Sequence, residues 1–158
     1  MSRAAPAADG RKVVASNRKA RHDYDRLESV ECGIVLTGSE VKSLRAGQVV
    51  LKDAYAEIRG AEMWLLSLHI APYQFARGGG HDPERPRKLL LHRREIERLI
   101  GKVNEQGLTL IPMSIYFAHG LAKVEIALAR GRRTYDKRQA IREREEKREM
   151  DRARSHRR

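Results

Sequence analysis

The sequence predicts a mainly β domain in which short helices join the strands. β-branched and apolar runs of strand length recur between clusters of glycine, proline and aspartate, and near residue 125 apolar and polar residues alternate with period two. Only one segment, around residue 100, has a strong helical period. With 158 residues and 41% hydrophobic content, the chain has material for one modest core plus appendages.

Residues 1–15 read as a flexible leader, since Pro6, Gly10 and scattered basic residues offer nothing to bury. In "SNRKARHDYDRL", Ser16 or Asn17 can cap a short basic helix. "VECGIVLTG" from Val30 has the composition of a strand, bent or bulged at Gly33. "GSEVKSLRAG" predicts about two helical turns capped by Ser39, with Val41 and Leu44 on one face and Gly47 at the end. "AYAEI" and "MWLLSLHI" flank the turn-prone "RGAE" as a hairpin, with Trp64, the single tryptophan, as its anchor. "RGGGHDPERPR" is a loop by composition. Ile96, Leu99, Ile100 and Val103 then fall at i, i+3, i+4 and i+7, an amphipathic helix ended near Gly107. Two β-rich runs around His119 and Gly120 complete the body, with Val124, Ile126 and Leu128 on the core face of the second. At this size a closed antiparallel barrel of the OB type disposes of the sheet edges, and a flat antiparallel sheet with helices on one side is the alternative. The expected division is a leader at 1–15, a barrel at 16–130 and a basic tail at 131–158.

Charge narrows the function. Lysine and arginine number 33 against 21 acidic residues, a formal net charge of +12, which points to a polyanionic partner. From 130 to 158 there are 13 basic and 6 acidic residues, so the tail carries more than half of the excess. Glu143 with Lys147 and Arg142 with Glu146 are spaced to support a helix. Ile141 and Met150 are too few to seat that helix on the body. The tail is therefore expected to be disordered alone and to fold on a charged partner. Basic residues of the body fall in three clusters: Arg18, Lys19, Arg21 and His22; Lys42 and Arg45; and Arg85, Arg87, Lys88, Arg93 and Arg94. Such groups can track a phosphate backbone, while Tyr24, Tyr55 and Tyr73 can stack on unpaired bases.

Little suggests catalysis. His81 and Asp82 are adjacent in an extended loop, where neighbouring side chains diverge, and no nucleophile accompanies them. Gly78 to Gly80 are not followed by the Gly-Lys-Ser/Thr of a phosphate-binding loop. The six histidines lack the spacing of a metal site, so no metal and no cofactor are expected. The single cysteine, Cys32, excludes an intramolecular disulfide and fits a reducing compartment, hence the cytoplasm. No apolar run is long enough to suggest a membrane span, and no small-molecule substrate is indicated. Beside a non-catalytic RNA-binding module, two other classes stand: a structural or ribosome-associated protein binding rRNA, and an RNA-cleaving enzyme using His81 or His22.

"NRKARHDY" (17–24), "GSEVKSLRAG" (38–47), "DPERPRKLLLHRREI" (82–96) and "KVEIALARGRRTYDKR" (123–138) resemble, in unbroken order, the successive signature segments of the SsrA-binding protein family, the small protein B of bacterial trans-translation. The resemblance implies an OB-type barrel that binds the tRNA-like domain of transfer-messenger RNA. It further implies entry into stalled 70S ribosomes with the alanylated RNA and elongation factor Tu, and no chemical step by the protein. Carried onto this chain, it assigns RNA contacts to Asn17, Arg18, Arg21, His22, Tyr24, Glu31, Lys42, Arg45, Arg87, Lys88, Leu90 and Lys123. Glu31, acidic among basic clusters, is expected to act as an acceptor for a base edge, a ribose or a basic side chain. In the tail, Gly131, Arg132, Arg133, Tyr135, Asp136, Lys137 and Arg138 are implied to meet the 16S rRNA decoding centre. Ile141, Arg142 and Arg144 are implied to lie in a helix that forms in the empty mRNA channel.

Overall fold

A computed structural model describes residues 10–73, 75, 81–131 and 134–156, with 105, 106, 134–140, 155 and 156 described in backbone alone. The elements are β1 (Arg11–Ser16), α1 (Arg18–Asp23), β2 (Tyr24–Ile34), α2 (Gly38–Arg45), β3 (Val49–Val50), β4 (Tyr55–Arg59), β5 (Glu62–Leu66), β6 (His69–Ile70), β7 (Arg87–Leu90), α3 (Arg93–Gln106), β8 (Thr109–Ala118), β9 (Leu121–Gly131) and α4 (Thr134–His156).

The two longest pairings build the frame. β8 and β9 form a hairpin from Thr109 opposite Ala129 to Ala118 opposite Leu121. Its turn uses His119 and Gly120, both at positive φ (52° and 78°), the backbone that a tight two-residue hairpin requires. β2 lies antiparallel on the other side of β9, Tyr24 opposite Gly131 through Gly33 opposite Lys123. From there the seven-stranded sheet runs β1-β8-β4-β5-β7-β2-β9, while β3 and β6 pair separately. Met63, Leu65, Leu89, Ile115, Val124 and Ile126 meet in the core together with Leu99 of α3. The opposite side of the β8–β9 hairpin is also covered where α1 packs Ala20 against Ile111, Met113, Ala127 and Ala129, the alanines letting the helix approach closely.

Several expectations need correction. Order begins before residue 16: Arg11 to Ser16 pair with Ala118 to Ser114, because β8 offers an otherwise open edge to Val13 and its neighbours. The bulge in β2 falls between Arg26 and Glu28, not at Gly33. Gly33 instead marks a branch, opposite Lys123 on β9 and Leu90 on β7. A Cβ there would meet the Leu90 Cβ at 3.2 Å, so the absent side chain permits the close approach. The cap of α2 is Thr37 rather than Ser39, in a capping box with Glu40. Trp64 is only half-buried, since strand alternation puts Met63 and Leu65 on the core face.

Other elements lie where the sequence places them. Asn17 caps α1 through the Ala20 N–H. The β4–β5 hairpin turns at Gly60 (φ 62°), and α3 ends on Gly107 (φ 62°). The tail differs from an irregular segment: Thr134–His156 is one helix, favoured by its Arg, Glu and Lys content, with Ile141 and Met150 exposed.

Candidate nucleic-acid interface

Three of the expected contact residues meet in one place. Glu31 of β2, Leu90 of β7 and Lys123 of β9 line an open groove of about 700 Å³, joined by Ser29, His92 and Arg98. It lies where β2 pairs with both β9 and β7 at Gly33, whose missing side chain lets Leu90 pack across it. Leu90 is 51% exposed and faces this groove rather than the core. The lining combines Lys123 and Arg98, the latter shared with Glu28, as donors with Glu31 and Glu95 as acceptors and Leu90 as an apolar surface, a mixture suited to ribose and base edges as well as phosphate. Ser29, His92 and Arg98 escaped sequence reasoning. His92 lies two residues from Leu90 and Ser29 two from Glu31, but only the packing of α3 on β2 brings Arg98 beside them.

α3 is held against β2 by an ion-pair cluster: Arg98 and Lys102 both donate to the Glu28 carboxylate. Hydrogen bonds from Lys102 and Arg98 hold that carboxyl below its ordinary value despite some desolvation.

α1 presents a second basic surface. Arg18 and Arg21 are exposed, Lys19 pairs with Asp53 at 3.5 Å, and His22 Nδ1 lies 2.9 Å from Asp23 Oδ1. Tyr24 sits half-buried at the start of β2, opposite Gly131, so α1 adjoins the point where the chain leaves β9 for the tail. On α2, Lys42 and Arg45 are exposed in the last turn, where Lys42 lies 5.3 Å over the Tyr73 ring and Arg45 4.7 Å over Phe117. These stacks orient the cations while the residues remain open to solvent.

Two expected contacts are instead part of the framework. Asn17 is 2% exposed; its amide donates to the carbonyls of Pro112 (2.9 Å) and Leu51 (3.3 Å), and its oxygen accepts from Ala20. Arg87 is fully buried. It donates to Glu40 at 2.5 Å, to the Leu68 carbonyl at 2.6 Å and to the Pro83 carbonyl at 3.0 Å. Burial pushes its guanidinium down, opposed by Glu40. Burial also pushes the Glu40 carboxyl up, but the Thr37 N–H, Arg85 and Arg87 together hold it below its ordinary value. Neither Asn17 nor Arg87 has a side chain available to RNA. Lys88, the next residue, is accessible and pairs with Glu62 at 3.6 Å.

His81 and Asp82 serve the framework. One His81 nitrogen lies 2.9 Å from Ser39 Oγ and the other 2.9 Å from the Ile70 carbonyl, bridging α2 to β6. Asp82 caps its own turn through the Glu84 N–H. Burial pushes the Cys32 thiol up to about 12, which keeps it protonated. Among the described residues, no group of three or more His, Cys, Asp or Glu is placed to hold a metal, and no helix is long and apolar enough to cross a membrane.

In the tail, Gly131, Ile141, Arg142 and Arg144 are exposed. Tyr135, Asp136, Lys137 and Arg138 lie in the first turns of α4, and Arg132, Arg133 and Gly78 to Gly80 fall outside the described residues.

A β-sheet body with separate basic helices, a groove that mixes donors and acceptors, and a long basic terminal helix defines a protein of the nucleic-acid-binding class. Comparison with known proteins gives the family. The sequence profile of the SmpB protein family matches residues 14–156, and the chain belongs to that family. It is 60% identical over 144 residues to an SsrA-binding protein of Acidothermus cellulolyticus, covering 91% of each chain. It is 55% identical over 151 residues to one of Syntrophobacter fumaroxidans, covering 96% of this chain and 94% of the relative. A solved structure described as "tmRNA-SmpB: a journey to the center of the bacterial ribosome" contains a chain 50% identical, with a TM-score of 0.65, covering 81% of this chain and 94% of that one.

Proposed function

We propose that this protein is an RNA-binding adaptor. It binds the tRNA-like domain of transfer-messenger RNA and takes it to stalled ribosomes for trans-translation. Kinship with SsrA-binding proteins over nearly the full length carries this reading, and the exposed cations, the groove and the basic terminal helix support a division of the work.

The body grips the RNA. Arg18 and Arg21 on α1 and Lys42 and Arg45 on α2 meet phosphates, while Glu31, Leu90 and Lys123 engage riboses and unpaired bases in the groove. The tail meets the ribosome: Gly131 to Arg138 lie at the 16S rRNA decoding centre, and the helix through Ile141, Arg142 and Arg144 occupies the vacant mRNA channel. Elongation factor Tu accompanies the alanylated RNA, the site of action is the cytoplasm, and the protein itself performs no chemical step. We also read the body as a closed OB-type barrel, supported by pairings β8–β4–β5–β7–β2–β9 that lead back to β8.

Truncation tests the division. A chain ending at Gly131 should bind the labelled tRNA-like domain with full affinity yet fail to support tagging of nascent chains in a reconstituted translation reaction. Loss of RNA binding on truncation, or tagging without the tail, would sink it.

A further inference from the structure

Glu31 stands in an unusual setting for a residue that faces RNA. Across the strands it lies opposite a second carboxylate, Glu125, and like charges in that position repel. Glu125 is compensated by Arg26 at 3.0 Å and by Ser114 at 3.4 Å. Glu31 has a different restraint: the Tyr116 hydroxyl donates to its Oε2, and among the described residues Tyr116 alone hydrogen-bonds it.

Tyr116 sits on β8 between Ile115 and Phe117, which both belong to the core, so its own ring projects to the opposite side of the strand. It is nevertheless only 1% exposed, and the Arg11 guanidinium lies 4.9 Å over the ring. A tyrosine with its ring enclosed has its hydroxyl fixed in space. Burial and the Glu31 carboxylate both push its ionisation upward, so it stays a donor throughout the range in which proteins work.

We propose that Tyr116 is a positioning residue for RNA recognition: its enclosed hydroxyl tethers one Glu31 oxygen and leaves the other in the groove as a single, directed acceptor. A carboxylate does not approach phosphate, so its RNA partner is a donor, a ribose hydroxyl or a base amino group. The tether opposes the repulsion from Glu125, which otherwise turns Glu31 away from this pose. This inference rests on the reading of Glu31 as an RNA contact.

The test is a double-mutant cycle read by equilibrium binding of the labelled tRNA-like domain. Tyr116→Phe deletes one oxygen and keeps the ring under Arg11; it should weaken binding about tenfold, the scale of a hydrogen bond to a charged group. Glu31→Gln should weaken binding comparably, and in the Tyr116→Phe background it should add little. Glu31→Asp, an exposed change too short to satisfy Tyr116 and the groove together, should reproduce the Tyr116→Phe loss with an unchanged melting temperature. In every variant the salt slope should stay at the wild-type value, since no phosphate contact is removed. Wild-type binding by Tyr116→Phe alongside a weakened Glu31→Gln would overturn the tether alone, as would losses that multiply or a salt slope that falls. Wild-type binding by Glu31→Gln would overturn the contact reading and the tether with it.

Discussion

Arg87 and Lys88 are adjacent basic residues with opposite fates, and the difference lies in their partners. Alternation along β7 turns Arg87 inward, where Glu40, 47 positions earlier, takes its charge. Arg87→Ala empties a buried site and leaves Glu40 with only Arg85 and the Thr37 N–H, so it should lower stability by about 3–5 kcal/mol in denaturant titrations. Glu40 also sets a pH dependence. Its folded value lies below the ordinary 4.5, so its contribution is complete above 4.5 and is lost as pH falls through the lower folded value. Melting temperatures stepped downward from pH 5 should therefore decline in wild type, and more shallowly in Glu40→Gln. Asn17 separates framework from contact in the same way. Asn17→Ala should cost about 1–3 kcal/mol by losing a cap and two buried hydrogen bonds. If it instead weakened RNA binding with no change in melting temperature, its place in the framework would be wrong.

Elements differ in how far their own residues specify them. α3 has a periodic apolar face and the Gly107 terminator within its own segment, and the β8–β9 hairpin has its alternation and its His119-Gly120 turn, so both were legible. β1 was not: "RKVVAS" is short and basic, and it becomes a strand because β8 has an edge to pair with. The branch of β2 at Gly33 was visible only as a glycine in a strand; whether it marks a bulge or a close approach depends on Leu90 across the sheet. Gly33→Ala should lower the melting temperature and weaken RNA binding together, since β7 must shift to admit the methyl group and the groove shifts with it. α4 has helical composition and no apolar stripe. A peptide spanning 131–158 should thus have low helicity by circular dichroism in water, rising when a polyanion is added.

At the scale of the whole molecule, charge is distributed rather than concentrated in one site. Exposed cations on α1, on α2, in the groove and in the tail are each open to phosphate on a partner, so affinity should fall steeply and linearly on a log–log plot against salt. Single reversals at Arg18 or Lys42 should reduce that slope by about one unit each, and Arg87→Met, which removes a buried charge, should leave it unchanged in the folded fraction. Residue types, periods and net charge follow from sequence alone, and they determined the strand-rich body, the amphipathic α3, the basic tail and the search for a polyanionic partner. The tertiary structure decided which polar groups stay at the surface to meet that partner. It withdrew Asn17 and Arg87 into the framework, set Ser29, His92 and Arg98 beside Glu31 and Lys123, and enclosed Tyr116 behind Glu31. The physical reason is that a polar group can reach a partner only when the fold leaves it at the surface, and Asn17 and Arg87 are buried by elements that lie tens of residues away along the chain.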